Sequence, residues 1–351
     1  MSTRFVRLAC AHFRVAAVVG AFLTFVVWIG CGGDEEAEDR KAEANELVSK
    51  KVAAAPTLDG SGNDAVWAGA PVLKATVAGG VNSASSNVTL KSVYTDDSIY
   101  FLVEWTDPTQ SLQRKPWQKQ ADGSWKQLKE GPSGDENKYY EDKFSFVWNI
   151  NDSIAGFNEA GCQVTCHVGE AGKPYGNKYT AAAGELGDIW HWKSVRTGPV
   201  GQVDDQYLDD TRYDPDKAPG AGRKSDPKTA GGYADNVSAD GKLPKFGAKA
   251  PPYWILDSEK KPLNDADFKA GDEVPGIVIA PFAGDRGDIA AKHSYGAGKW
   301  TVELARKRGT GSKYDAQFTD PAKHYAFGVA VFDNAQVRHS VSGLLKLSLG
   351  K

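Results

Sequence analysis

Methionine is almost missing from this chain of 351 residues: Met1 is the only one. Removal of a leader would leave no thioether to ligate a metal or fill a core gap. Cysteine is scarce too. The four residues Cys10, Cys31, Cys162 and Cys166 are too few to staple a chain of this length. Basic excess is absent, since 42 Lys and Arg face 45 Asp and Glu for a formal charge of −3. That balance lacks the footprint of a nucleic-acid binder, and no nucleic-acid partner is expected. Long helical periodicity is hard to find. No Ser/His/Asp set, no paired carboxylates and no phosphate-cradling glycine loop after a strand stand out, so no enzyme activity is expected of this chain alone. What remains is 41% hydrophobic and 11% aromatic, the composition of a folded body rather than a disordered or fibrous one.

The single long apolar run lies at the N-terminus. Arg4, Arg7 and Arg14 precede Val15 to Gly30, which carries no charge. As a helix it would reach about 24 Å, short of the roughly 30 Å hydrocarbon core. A basic start, a short apolar stretch and a small residue before a cut site read as a signal peptide over 1–30. Trp28-Ile29-Gly30-Cys31 resembles a bacterial lipobox, with Trp28 in place of the usual Leu. Lipid on Cys31 would attach the protein to a membrane of the cell envelope, periplasmic or outer, without a spanning helix. An uncut signal anchor is the alternative. Residues 31–51, rich in Glu, Asp, Ala and Lys, read as a solvated tether.

The body, 52–351, reads as mainly β. Val88 to Thr95 and Ile99 to Trp105 flank an Asp96-Asp97-Ser98 turn and make a hairpin signal. Phe144, Phe146, Trp148 and Ile150 alternate with smaller or polar residues. Trp300, Val302 and Leu304 repeat the pattern, as do Tyr325, Phe327, Val329 and Val331 with small Ala326, Gly328 and Ala330 between them. Leu345, Leu347 and Leu349 close the chain. Many strands between Gly/Asp/Pro turns predict a single β-sandwich domain with long loop insertions. Arg212 to Pro252 and Arg114 to Lys129 read as such loops. Asp285, Arg286 and Asp288 read as turn formers, with a cation site conceivable.

Cys162-Gln-Val-Thr-Cys166-His167 carries the chemistry. Two thiols followed at once by a histidine suit c-type haem, with both sulfurs on the vinyl groups and a neutral imidazole on iron. Three residues rather than two separate these cysteines, so the loop between them must bulge. A Cys162-Cys166 disulfide in an oxidising compartment, or a zinc site with two further ligands, are the competing readings.

Several stretches also resemble the ethylbenzene dehydrogenase-related haem-binding domains, which include haem subunits of some molybdenum oxidoreductases. They are Pro56 to Gly60 with Trp67, Val93 to Asp97, Ile99 to Pro108, the Cys162 to His167 segment, Asp188 to Arg196, Asp204 to Tyr207, Gly284 to Asp288, and Phe332 to His339. The resemblance implies a sandwich similar to carbohydrate-binding modules and a haem held for electron transfer. Its molybdenum-enzyme members hold haem b noncovalently through a Met and a Lys. A mature chain without Met, but with Cys162, Cys166 and His167, points instead to a c-type branch with one covalent haem c.

The ligand opposite His167 is expected to be His339, placed late in the chain like the family's second ligand, or His191, or a Lys, unless the position is open. Trp190 and Trp192 flank His191 and are expected to wall a haem face or else fill the core. Arg196 is the expected propionate partner. His324 reads as a strand-end residue and His293 as a loop residue. The function expected is that of an exported, lipid-anchored monohaem c-type cytochrome passing single electrons to redox partners. The alternatives are the haem subunit of a molybdenum oxidoreductase and a haem-free carbohydrate-binding or other ligand-binding module.

Overall fold

A computed structural model describes residues 43–131, 134–166 and 178–350. The signal peptide, Cys31, most of the tether and His167 lie outside the described residues. Residues 42–351 group as one compact unit. Among the described residues, no helix is long and apolar enough to cross a membrane.

The strands follow the β-rich runs. They are β1 (Glu46–Lys51), β2 (Val72–Ala78), β3 (Ser85–Tyr94), β4 (Ser98–Thr106), β5 (Trp117–Lys119), β6 (Trp125–Gln127) and β7 (Lys143–Asn149). After them come β8 (Gly187–Lys193), β9 (Asp204–Leu208), β10 (Arg223–Ser225), β11 (Ala230–Asp235), β12 (Ile255–Leu256) and β13 (Glu273–Val274). The last are β14 (Ile277–Ala283), β15 (Ala290–Gly296), β16 (Lys299–Lys307), β17 (Tyr325–Phe332), β18 (Ser340–Val341) and β19 (Leu345–Leu349). Among the described residues, two one-turn α-helices, α1 (Ala65–Ala68) and α2 (Phe157–Ala160), interrupt them.

Thirteen strands share one hydrogen-bonded sheet, in the order β10-β9-β8-β7-β17-β18-β2-β3-β4-β16-β15. A second route joins its halves, because β19 pairs with β17 and β1 pairs with both β19 and β3. The sheet folds over on itself. Phe101 of β4 touches Phe146 of β7 at 5.2 Å and Trp190 of β8 at 5.6 Å between ring centroids, although these strands are far apart in the pairing order. Trp105 likewise meets Phe144 and Trp192. The result is a β-sandwich whose two inner faces share one aromatic core. Each buried indole contributes roughly 4 kcal/mol or more of transfer free energy before ordering entropy.

Three expectations are corrected. Glu46–Lys51 is not tether but strand β1, with Leu47 fully buried. The Arg114 to Lys129 stretch contains the β5–β6 hairpin, and Trp117 is buried with its Nε1 donating to the Asn236 carbonyl at 2.7 Å. The Arg212 to Pro252 stretch supplies β10, which extends the main sheet, and β11, which pairs with β14 in a smaller one. Short strands embedded in Gly/Lys/Asp-rich sequence show too few alternating apolar residues to be recognised.

Candidate functional site

The site lies on the outer face of the β8-β7-β17 half. Alternation sends Phe144, Phe146 and Trp148 into the core and turns Ser145 and Val147 outward. Register carries that outer face across three strands. His191 opposes Ser145, which opposes Ala330; Ile189 opposes Val147, which opposes Gly328. These six positions line a cleft together with Cys162, Cys166, Lys178, Arg223, Phe332 and His339. The cleft holds about 700 Å³ of empty space when the open solvent at its mouth is included. The small residues of β17 are what leave the room.

Cys162 enters on the 3-10 turn Gly161–Val164 that follows α2. Gly161 has φ +69° and approaches Leu344 so closely that a Cβ would sit 3.1 Å from its backbone. Cys162 then packs with Ile154, Phe157 and Ala326 in a small apolar cluster. Just before Cys166, Thr165 donates its hydroxyl to the Tyr179 carbonyl at 2.7 Å. A Cβ on Gly328 would lie 3.2 Å from the Cys162 sulfur, so glycine is what admits the thiol to the cleft. Burial pushes the Cys162 thiol up to about 12 and the Cys166 thiol up to about 11. Both are free thiols, and no cluster of three metal-ligating side chains among the described residues includes either one.

His191 is 3% exposed. Its Nδ1–H donates to the Gln206 side-chain oxygen at 3.3 Å, which leaves Nε2 as the lone-pair nitrogen. That Nε2 is buried and has no hydrogen-bond partner among the described residues. Burial, then the charges of Lys193, Lys143, Arg223 and Arg196, hold the imidazole well below its ordinary pKa of 6.5. A neutral ring oriented by a hydrogen bond at its far nitrogen is the form that ligates iron. His339 borders the same cleft, and its Nδ1 bonds the Val337 carbonyl at 2.7 Å. Phe332 packs against both rings, at 5.2 Å from His191 and 4.4 Å from His339.

The other candidate residues fall elsewhere. Trp190 and Trp192 do not line this cleft; strand alternation turns them to the opposite face, where they pack on Phe101, Trp148, Trp105 and Trp300. Arg196 is no cleft residue either. Its guanidinium pairs with buried Glu141 and sits over the rings of Tyr140 and Tyr233. His293 is in β15, not a loop, and packs on Trp192 at 5.1 Å. His324 lies 3.9 Å from Glu46. The cations that do border the cleft are Lys178 and Arg223. Nothing in the sequence marked them, because Arg223 reaches the cleft only through the pairing of β10 with β9.

An orphaned buried imidazole nitrogen, two thiols, a glycine-made recess and two cations fit a covalently attached haem with two carboxylates. The family pattern described as ethylbenzene dehydrogenase matches residues 64–342. No curated protein matches the chain. Among solved structures, a family 9 carbohydrate-binding module from Caldicellulosiruptor kristjanssonii in complex with cellotriose is similar at 10% identity. It covers 87% of this chain and 95% of its own, with a TM-score of 0.36. A protein from Bacteroides uniformis described as carbohydrate-binding is similar at 8% identity, covering 87% and 99%, with a TM-score of 0.37.

Proposed function

Because the chain belongs to the ethylbenzene dehydrogenase family, we propose that its outer cleft holds one haem c and that the protein is an electron-transfer cytochrome. One observation carries the reading. The Cys162–Cys166 pair, His191 and His339, from three separate stretches of the sequence, meet at a single cleft. When bound, the haem supplies one-electron chemistry through ferric and ferrous iron. The chain's own residues hold and tune it. Cys162 and Cys166 provide the two sulfurs for thioether bonds. His167, adjacent to Cys166, would supply one iron ligand by its place in the motif. His191 offers the second nitrogen, its tautomer set by Gln206; His339 is its rival. Lys178 and Arg223, which border the cleft, would pair with the two propionates, and Ile189, Val147 and Val329 give it an apolar wall.

The basic leader and Cys31 support a location at the cell envelope on a lipid anchor, where the partners are other redox proteins. In the test, protein matured in a host that attaches haem c is extracted with acidified acetone and read as the reduced pyridine complex. Haem that stays with the polypeptide supports attachment at Cys162 and Cys166. Haem that extracts assigns a b-type site, and a colourless protein returns the ligand-binding module with a Cys162-Cys166 disulfide. Copurification with a large catalytic partner would mark the chain as an oxidoreductase subunit.

A further inference from the structure

A second constellation lies away from the cleft, beside the buried end of Arg306. Five aspartates converge there from five segments: Asp188 of β8, Asp205 of β9, Asp226 just after β10, Asp288 after the turn Asp285–Gly287, and Asp315 in the loop between β16 and β17. Carboxylate oxygens of Asp205, Asp288 and Asp315 all lie within 4.8 Å of one another. Arg306 donates to Asp188 at 2.9 Å and stands 3.6 Å and 3.7 Å from Asp205 and Asp315. It is the one cation in direct contact with them among the described residues. A single guanidinium cannot neutralise five carboxylates, and buried charges are otherwise paired or coordinate metals.

Hydrogen bonding gives an independent sign. Asp188 Oδ1, Asp205 Oδ2, Asp315 Oδ1 and both oxygens of Asp226 are buried without any hydrogen-bond partner among the described residues. Asp226 stands outside the trio just measured and is 3% exposed, and the charges of Asp188, Asp315 and Asp288 all reach it. Its backbone N–H donates to the Asp205 carbonyl at 3.2 Å, which fixes it against the cluster. Buried acceptors left unsatisfied together require an explanation such as an ion. The other acidic trio, Asp107, Asp142 and Asp333, differs. Both oxygens of Asp142 accept hydrogen bonds, from Ser111, Trp300 and Asn334, and Asp107 Oδ1 accepts one from Thr109; a single oxygen of that trio, Asp107 Oδ2, is buried without a partner among the described residues, against five beside Arg306.

We propose that Asp205, Asp288 and Asp315, with Asp226 beside them, form a binding site for one calcium ion that ties β9, the β14–β15 connection and the β16–β17 loop together. Hard carboxylate oxygens select a hard cation, and three carboxylate oxygens within 4.8 Å of one another are close enough to share one ion. Calcium accepts roughly six to eight oxygens in a flexible cage, as ligands from separate loops would offer, whereas magnesium demands near-ideal octahedral geometry at about 2.0–2.1 Å. Asp288 is exposed and supplies the entrance. The proposal is independent of the haem reading.

The test uses the full-length purified protein stripped with a chelator. Calcium chloride is titrated calorimetrically, and thermal unfolding is followed with and without it. One calcium per chain, a raised unfolding midpoint and a weaker response to magnesium are expected. Asp288→Asn, an exposed substitution that leaves the core intact, lowers calcium affinity roughly tenfold or more. Asp205→Asn does the same if folded, and Asp333→Asn has no effect. Absence of both heat and midpoint shift would overturn the proposal in favour of an ion network centred on Arg306. So would a response untouched by Asp288→Asn, or one abolished by Asp333→Asn.

Discussion

Replacing Arg196 by leucine separates the structural role found for this residue from the propionate contact its sequence position suggests. Glu141 is fully buried, and its carboxylate accepts from Arg196 Nε as well as from the backbone N–H groups of Val195 at 2.9 Å and Arg196 at 3.0 Å. Leucine fills the volume but leaves the carboxylate without its main cation. Breaking a buried pair by removing one partner costs about 3–5 kcal/mol. The two backbone donors remain, and the charges of Lys143 and Arg114 still reach Glu141. The low end, about 3 kcal/mol, is therefore expected. At roughly 2 °C per kcal/mol for a domain of this size, the unfolding midpoint falls by about 6 °C.

The pH dependence has a definite sign. Burial pushes the Glu141 carboxyl up, but the charges of Arg196, Lys143 and Arg114 outweigh it and the net shift is below the ordinary 4.5. Its stabilisation is complete above that value and is lost as pH falls through the lower folded pKa. Without Arg196 the burial effect dominates and the carboxyl takes up a proton more readily. The gap between variant and wild type is thus widest at neutral pH and narrows towards pH 4. Urea unfolding at pH 7 and pH 4.5, with the haem spectrum recorded alongside, measures both. An unchanged midpoint together with a shifted haem potential would refute the reasoning and restore Arg196 to the cofactor.

Arg223→Gln should do the opposite, moving the haem midpoint potential while unfolding stays within about 0.5 kcal/mol, as for an exposed side chain; redox titration and urea unfolding of the same sample check it. His191→Ala is expected to convert the low-spin spectrum to one with an open or water-filled position, whereas His339→Ala preserves it; the reverse pattern would make His339 the ligand. Gly328→Val drives its side chain onto the Cys162 sulfur, so the haem fraction surviving acid acetone should drop and stability fall by about 1–3 kcal/mol from overpacking. Burial and then Asp333 raise Asp107 to about 6, and burial and then Asp107 raise Asp142 to about 8. Both carboxyls bind protons more tightly folded than unfolded, so stability declines as pH rises from about 4 to 8. Asp107→Asn should flatten that decline in a series of urea melts, and a slope left unaltered would rule the pair out as its cause.

Much of this protein is legible in order along the chain. Alternation at Phe144 to Ile150, Trp300 to Leu304 and Tyr325 to Val331 determines strands and their buried faces, because side-chain period follows directly from backbone geometry. The thiol-thiol-histidine spacing at Cys162, Cys166 and His167 is equally local. Strand alternation also separates His191 from Trp190 and Trp192, but sequence alone does not say which face becomes the cleft. That depends on β8, β7 and β17 pairing so that His191, Ser145 and Ala330 fall in one row. Arg196 and Arg223 illustrate the same limit. Either guanidinium suits a propionate by chemistry, yet only the packing of Glu141 and Tyr140 commits one to the interior. Only the β9–β10 register brings the other to the cleft. Local spacing sets what a residue can do, and long-range pairing, driven by burial of the shared aromatic core, decides what it faces.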